Sequence, residues 1–373
     1  INATAWTGSF RVMDSSGLLE KKNFKLRGEE KLSFTVETFD GKMENPLEVE
    51  AQVISITNVK PTENLTGVVF DLNFMSRISY GAGKRRVRQS FHDLTADEIV
   101  HNIFKKFYGN NRLTEVGPAP NEVIPFDTKK YRTTDLGNGI RVPFYIQPTE
   151  GLMRSVIPNL PPSDAITMLA QRSYSENSPS CTFRFFETFT GFWYVTDEFL
   201  IQHGVQNSQT IEEFAYNAQN SQDSQQSKLQ TNTFRSFSNP QRVNTPKDIF
   251  SGGYRSKVIE VDLGRRRARN IDFNFVEDAN YYNMEGERIS SRNVDDAMLH
   301  SREFAEETFT DENAKRMLVF KDYYDDDGQT LRANQHHPEI LQNRTAYAHH
   351  ISQTTVNAQL NASRLDLRPG KII

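Results

Sequence analysis

The chain has one cysteine, Cys181, in 373 residues, so no internal disulfide can staple it. That usage fits a reducing compartment. No stretch reaches the roughly 18 consecutive apolar residues of a membrane helix. No signal-peptide pattern is visible, and the four sequons at Asn2, Asn64, Asn343 and Asn361 are read as chance. Charge of one sign is also lacking: 44 Lys and Arg face 48 Asp and Glu, a net −4. An obligate nucleic-acid binder is usually basic overall. The phosphate-cradling and nucleophile motifs GxGxxG, GxxxxGK[ST] and GxSxG are missing, as is the zinc pattern HExxH.

What is present is aromatic. The chain carries 26 Phe and 13 Tyr, which supply large side chains for real cores and lean towards β structure. The most informative stretch is Gln147 to Ile201, QPTEGLMRSVIPNLPPSDAITMLAQRSYSENSPSCTFRFFETFTGFWYVTDEFLI. Pro148, Pro158, Pro161 and Pro162 predict an ordered but irregular loop from Gln147 to Pro162. Ser163 or Asp164 is a cap candidate for a following helix. Ala165, Met168 and Leu169 give that helix one apolar face. The alternation around Thr190-Gly191 predicts a hairpin, with Phe183, Phe185, Phe189, Phe192 and Tyr194 covering the helix.

Residues 1–91 read as short alternating strands punctuated by glycines, a small barrel or sandwich. Within them a mixed-charge turn at Arg27 to Lys31 precedes Leu32, Phe34 and Val36 on one face. Residues 92–203 read as an α+β domain. Its first helix has a cap at Thr95, apolar positions at Ile99, Ile103, Phe104 and Phe107, and a stop at Gly109. A proline-rich loop, 117–148, follows. Residues 204–248 are polar, a solvated helix or a flexible loop. Residues 204–338 as a whole read as a second β domain with polar and acidic insertions. In 339–373, a helix with Ile340, Leu341, Tyr347 and Ile351 inward and a final strand are expected to pack back on the α+β domain. The closing RLDLRPGKII reads as strand, turn and the start of another strand, as expected of a piece of a longer polypeptide. FDLNF (Phe70 to Phe74) and IDFNF (Ile271 to Phe275) hint at a duplicated β domain.

No residue emerges as catalytic, cofactor-binding or metal-ligating. His336-His337 and His349-His350 are adjacent pairs, which diverge by about 100° on a helix and cannot face one metal. Asp325-Asp326-Asp327-Gly328 partly matches a calcium loop, but Tyr323 and Asn334 stand at ligand positions. Gly137-Asn138-Gly139 is a turn. Cys181 sits in an aromatic strand and reads as a buried, inert thiol. Asp197-Glu198 is too common a pair to mean a glycosidase. The basic runs Lys84-Arg85-Arg86-Val87-Arg88 and Arg265-Arg266-Arg267-Ala268-Arg269 allow two readings. They meet acidic partner surfaces or a subunit boundary, or they touch DNA phosphates.

The order of patterns resembles one family. An LRGEEKL hairpin (Leu26 to Leu32) is followed by DLTADEIVHNIF, then by PTEGL…IPNLPP…GFWYV, then by IFSGGYRSKVIEVD. This is similar to the baseplate central hub proteins of contractile-tailed, T4-like myovirus bacteriophages, relatives of the hub part of type VI secretion spikes. The resemblance implies a β-rich α+β chain with two tube-type β-barrel domains flanking an α+β domain. It implies a homotrimer that joins the six-fold tail tube to the three-fold central spike, with baseplate wedge proteins as neighbours. Viral DNA would pass through the channel without sequence-specific binding, and the protein would sit in the virion tail after assembly in the host cytoplasm. The polar segment 204–248 and the acidic segment near 323–335 depart from the family pattern. The implied role is structural, neither enzymatic nor cofactor-dependent. A wedge-type tail component is the alternative, and a spike-associated cell-wall hydrolase a more distant one.

Overall fold

The computed structural model describes residues 4–17, 28, 30–36, 47–61, 67–108, 144–176, 180–189, 191–200, 215–216, 233–238, 255–263, 266–274, 281–282, 288–289, 315–320, 338–345 and 357–360. The expected Gly137 turn, both histidine pairs, the Asp325 loop, Gly109, Tyr347 and Ile351 lie outside them.

The first unit is one antiparallel sheet. Strands β1 (Thr7–Asp14), β2 (Lys31–Val36), β3 (Leu47–Pro61) and β4 (Val68–Ser76) pair in the order β1-β4-β3-β2. Period-two alternation turns Phe70, Leu72 and Phe74 of β4 and Ala51 and Val53 of β3 into a core, and Val12, Leu32, Phe34 and Ile56 pack against it. The other face is polar. There Asn73 Nδ2 donates to Ser55 Oγ at 3.0 Å and Thr57 Oγ1 at 3.1 Å. Asp71 accepts from Arg11 Nε at 2.9 Å and Asn58 Nδ2 at 2.7 Å.

This sheet is curled. In a flat sheet its two edge strands would lie about 14 Å apart. Instead the rings of Phe10 in β1 and Phe34 in β2 are 4.8 Å apart, and both meet Phe74 between them, at 4.8 and 5.3 Å. Irregularities in β3 between Val53 and Ser55 and between Thr57 and Lys60 supply the bend. Asn58 takes φ 55 in the second, a conformation asparagine tolerates. Gly8 is required by close approach, since a Cβ there would lie 2.6 Å from the Phe74 ring.

The second unit contains α1 (Arg77–Gly83), β5 (Val87–Leu94), α2 (Ala96–Phe107), β6 (Phe144–Ile146), β7 (Met153–Leu160), α3 (Pro162–Ala170), β8 (Phe183–Thr188) and β9 (Gly191–Thr196). Helix α2 starts at Thr95 as its sequence predicts, with the Thr95 N–H donating to Glu98 Oε2 at 3.1 Å. Its Ile99, Val100, Ile103 and Phe104 are buried. The sheet β6-β9-β8 is covered on both faces. Phe144, Phe183, Phe185, Phe192 and Tyr194 join the core under α2 and α3, while Tyr145, Phe186, Trp193 and Val195 form a second core with Leu200.

Three local expectations change. Gln147 to Pro162 is not all loop: Met153–Leu160 is a strand antiparallel to β5, and Pro158 is accommodated beside a bulge where Asn159 takes φ 56. Helix α3 begins one residue before Ser163, with Pro161 at its N-cap and Pro162 at its first turn. Proline suits that position because its missing N–H has no helical partner there. The hairpin is present, but Thr188 pairs with Gly191, so the turn precedes Gly191. That glycine takes φ 148, a value side chains resist.

Beyond residue 204, β10 (Ala215–Tyr216) runs parallel to β11 (Thr233–Ser238), and β11 is antiparallel to β17 (Asn357–Leu360). The polar stretch therefore contains strands, which composition hid because β11 is mostly solvent-facing. Strands β12 (Arg255–Asp262) and β13 (Arg267–Asn274) form an antiparallel pair, and β16 (Lys315–Phe320) adds parallel to β12. A short pair, β14 (Tyr281–Tyr282) and β15 (Arg288–Ile289), completes the described strands. FDLNF lies in β4, and the described part of IDFNF lies in β13. Each is the second strand of an antiparallel pair, with Phe70, Leu72 and Phe74 buried in one and Phe273 in the other. The neighbourhoods then diverge, because β2 is antiparallel to β3 whereas β16 is parallel to β12.

Truncating the ring that bridges the two sheet edges should be costly. Phe74→Ala is expected to lower unfolding free energy by about 3–5 kcal/mol, read as a lower denaturant midpoint. An unchanged midpoint would show that the curl does not rest on this ring.

Candidate functional site

The described residues contain no group of three or more His, Cys, Asp or Glu able to hold a metal ion. The chemistry that is present gathers at three places. The first is the junction between the curled sheet and the α+β unit. Ser76 ends β4 and caps α1, and its hydroxyl donates to Glu187 Oε1 at 2.5 Å. Ser79, one turn into α1, donates to Glu187 Oε2 at 2.7 Å. Residue 187 sits near the end of β8, so the carboxylate reaches across from the hairpin. Beside it Trp6 packs on Phe189 with centroids 5.1 Å apart. Phe189 was expected over α3; it is 43% exposed because it belongs to the turn. Burial pushes the Glu187 carboxyl up to about 7, against the opposing hydrogen bonds from Ser76, Ser79 and the Trp6 backbone.

The second place is the other end of the same hairpin. Glu198 is buried and accepts from Ser180 Oγ at 2.5 Å and from Thr182 Oγ1. Burial pushes its carboxyl up, with the Ser180 and Thr182 hydrogen bonds opposing. Its neighbour Asp197 turns away to Arg184, with Nε 2.7 Å from Oδ1. The Asp197-Glu198 pair is therefore split between an ion pair and a hydroxyl cage. Glu187 and the Glu198 cage lie five residues apart along β8, on the order of 15 Å. Acid–base carboxylate pairs of glycosidases work at roughly 5–9.5 Å.

The third place is the first basic run. Lys84 Nζ lies 4.3 Å from the Tyr80 ring centroid. Arg85 Nη1 donates to the carbonyls of Lys106 and Phe107, each at 3.3 Å, and so closes the C-terminus of α2. Arg88 Nε donates to Asn159 Oδ1 at 2.6 Å. Val87 points into the core. In the second run, Arg266 takes φ 50 in the turn before β13, and Arg267 and Arg269 are exposed.

Cys181 is buried just ahead of β8, and its Sγ donates to the Ile340 carbonyl at 3.8 Å. Burial pushes its thiol up to about 12, so little thiolate forms at neutral pH. Over it lies a helical segment, 338–345. Arg344 Nη1 donates to the carbonyls of Ala170 and Cys181 at 3.0 and 3.3 Å. Gln342 Nε2 donates to the Ile271 carbonyl of β13 at 3.0 Å. Ile340 is inward as expected, whereas Gln342 rather than Leu341 is buried with it. The sequence does not mark Glu187 as half-buried or Glu198 as buried, because a carboxylate inside a Phe-rich alternation looks like any outward polar position. Their serine and threonine partners are distant in sequence or too common to signal a pairing.

No protein-family model matches the chain, and no curated protein matches it. Among solved structures it is similar to a chain of the Francisella PdpA–VgrG complex in its half-lidded form. Identity is 12%, the TM-score is 0.30, and the match covers 87% of this chain and 39% of that one. The chain thus spans well under half the length of the chain it matches.

The two raised carboxyls set a pH dependence. A carboxyl whose folded value lies above its unfolded 4.5 favours the folded state when protonated, and that contribution is lost as it ionises. For Glu187, stability is expected to fall as pH rises from about 4.5 to about 7. Glu187→Gln should flatten this slope in denaturation series run across the window, leaving the part due to Glu198. An unaltered slope would mean that Glu187 titrates normally.

Proposed function

We propose that this chain is a structural component of a contractile tail, the trimeric baseplate hub that joins a six-fold tube to a three-fold central spike. The observation that carries the reading is a recurrence. The alternation of apolar and polar residues in Phe70 to Phe74 returns in Ile271 to Asn274, each time in the second strand of an antiparallel pair, before the neighbouring strands diverge. Two such units per chain give six similar units per trimer, which reconciles six-fold and three-fold neighbours. The curl of the first sheet supports a tube-type wall, since closing strands into a ring requires curvature.

In this reading the chain works by shape. Its partners are two further copies, the tail tube protein, the central spike protein and adjacent wedge proteins, with DNA passing through the opening. A net charge of −4 suits such a passage, because a strongly basic lining would hold the phosphates. The chain acts in the virion, carries no cofactor and catalyses nothing. The Glu187 and Glu198 carboxylates, each held by hydroxyls, serve as ties within the fold.

Light scattering tests the copy number. A mass of about 130 kDa, three times 42.8 kDa, is expected for the purified protein or for the protein with its spike. A monomer that stays monomeric when the spike protein is added would overturn the hub reading. On peptidoglycan overlays the protein is expected to leave no clearing; a cleared zone would move it among hydrolases.

A further inference from the structure

The α+β unit is charged unequally at its two ends. At the C-terminal end of α2 the fold joins two stretches of sequence. Arg85 reaches the Lys106 and Phe107 carbonyls, and Lys106 Nζ donates to Gln89 Oε1 of β5 at 3.1 Å. Lys84, Arg85, Arg86, Arg88, Lys105 and Lys106 therefore share one exposed corner. Among the described residues, the side-chain partners of Lys84, Lys106 and Arg88 are neutral: the Tyr80 and Phe107 rings, Gln89 and Asn159. Val156, 70% exposed, stands on the same outer face of β5 and β7 as Arg88 and Pro158.

The N-terminal end of α2, about 18 Å away, has the opposite sign. Asp97 and Glu98 open the helix. Thr149 bonds Asp97 Oδ1 through both its N–H, at 3.2 Å, and its hydroxyl, at 2.6 Å, which brings Glu150 alongside. The N–H of Glu176 donates to the Pro148 carbonyl at 3.2 Å, placing a third exposed glutamate there. Of the cations nearby, Arg154 is engaged by Asp93 at 3.4 Å, and Arg172 follows α3.

We infer that the basic corner at the C-terminal end of α2 docks on the acidic end of the same helix in a second copy of this chain, head to tail. Charge complementarity selects this occupant. The same chain presents the opposite sign at the exposed Glu98, Glu150 and Glu176, so every copy carries both halves of the contact. The corner also carries an exposed valine and a proline, which suit a protein surface better than a phosphate backbone. Several of its cations are already held by neutral groups, so less side-chain freedom is lost on docking. The contact is heterologous, and repeated use of it generates a ring where the rotation between copies closes. The inference rests on the proposed reading only in requiring that copies associate, and it holds for any copy number.

Two charge-inverted full chains test it. One carries Lys84→Glu, Arg86→Glu and Lys105→Glu; the other carries Glu98→Lys, Glu150→Lys and Glu176→Lys. Sedimentation equilibrium at low and high salt is expected to show at least tenfold weaker self-association for each variant alone. Association is expected to return when the two are mixed, since the mixture again offers opposite signs. Far-ultraviolet circular dichroism matching the parent confirms that each variant folds. Parent-like association of both variants, or a mixture as weak as either alone, would overturn the contact. A parent trimer that both variants retain sinks the contact but leaves the hub reading intact. A parent that associates to another size through this contact does the reverse. If the basic-corner variant instead loses binding to a short labelled DNA duplex while its mass is unchanged, the corner is a phosphate-binding surface and the inference fails.

Discussion

The antiparallel pairing of Phe183–Thr188 with Gly191–Thr196 organises the described structure. Because successive side chains point to opposite faces, this one hairpin feeds two cores at once. Its Phe185, Phe192 and Tyr194 meet the helices, and its Phe186, Trp193 and Val195 fill the other side. Its two ends carry two hydroxyl-bound acids, the half-buried Glu187 towards the curled sheet and the buried Glu198 towards the chain that enters β8. Packing of this kind is unforgiving of volume changes. The stacking of Phe104 on Phe144, centroids 4.0 Å apart, therefore fixes where α2 lies relative to the sheet.

Polar ties keep these layers in register. Gln147 is buried and serves both neighbours, donating to Ser175 Oγ at 2.8 Å and accepting from the Thr196 N–H at 2.9 Å. The Ser173 hydroxyl and the Tyr194 phenol lie 2.6 Å apart within the same core. A buried polar group left unpaired costs about 1–3 kcal/mol, so such pairs disfavour alternative packings as much as they stabilise this one. Hydrophobic burial supplies the drive and these bonds supply uniqueness.

Much of this was legible in the sequence. Helix α2 announced itself through Thr95, Glu98 and the spacing of Ile99, Ile103 and Phe104, because caps and periodicity are local signals. The hairpin announced itself through aromatic alternation. Strand β7 did not, since its prolines outweighed its alternation, and only the bulge at Asn159 reconciles the two. Strand β11 did not either, because a mostly exposed strand has no apolar period to read. The Glu187 junction was illegible for a different reason. Its donors Ser76 and Ser79 lie more than a hundred residues away, and nothing in a serine foretells a distant carboxylate.

The helical segment 338–345 is held in a way that has its own consequence. Arg344 and Gln342 donate to main-chain carbonyls of residues 170, 181 and 271, and the Cys181 thiol donates to a main-chain carbonyl in return. The seat therefore recognises the course of the backbone through those carbonyls. Ala170 and Cys181 are buried in their own right, so packing limits what can stand there, while the two donors are held by the hydrogen bonds they make. The docking site is written in the shape of the fold, and the key is written in two residues.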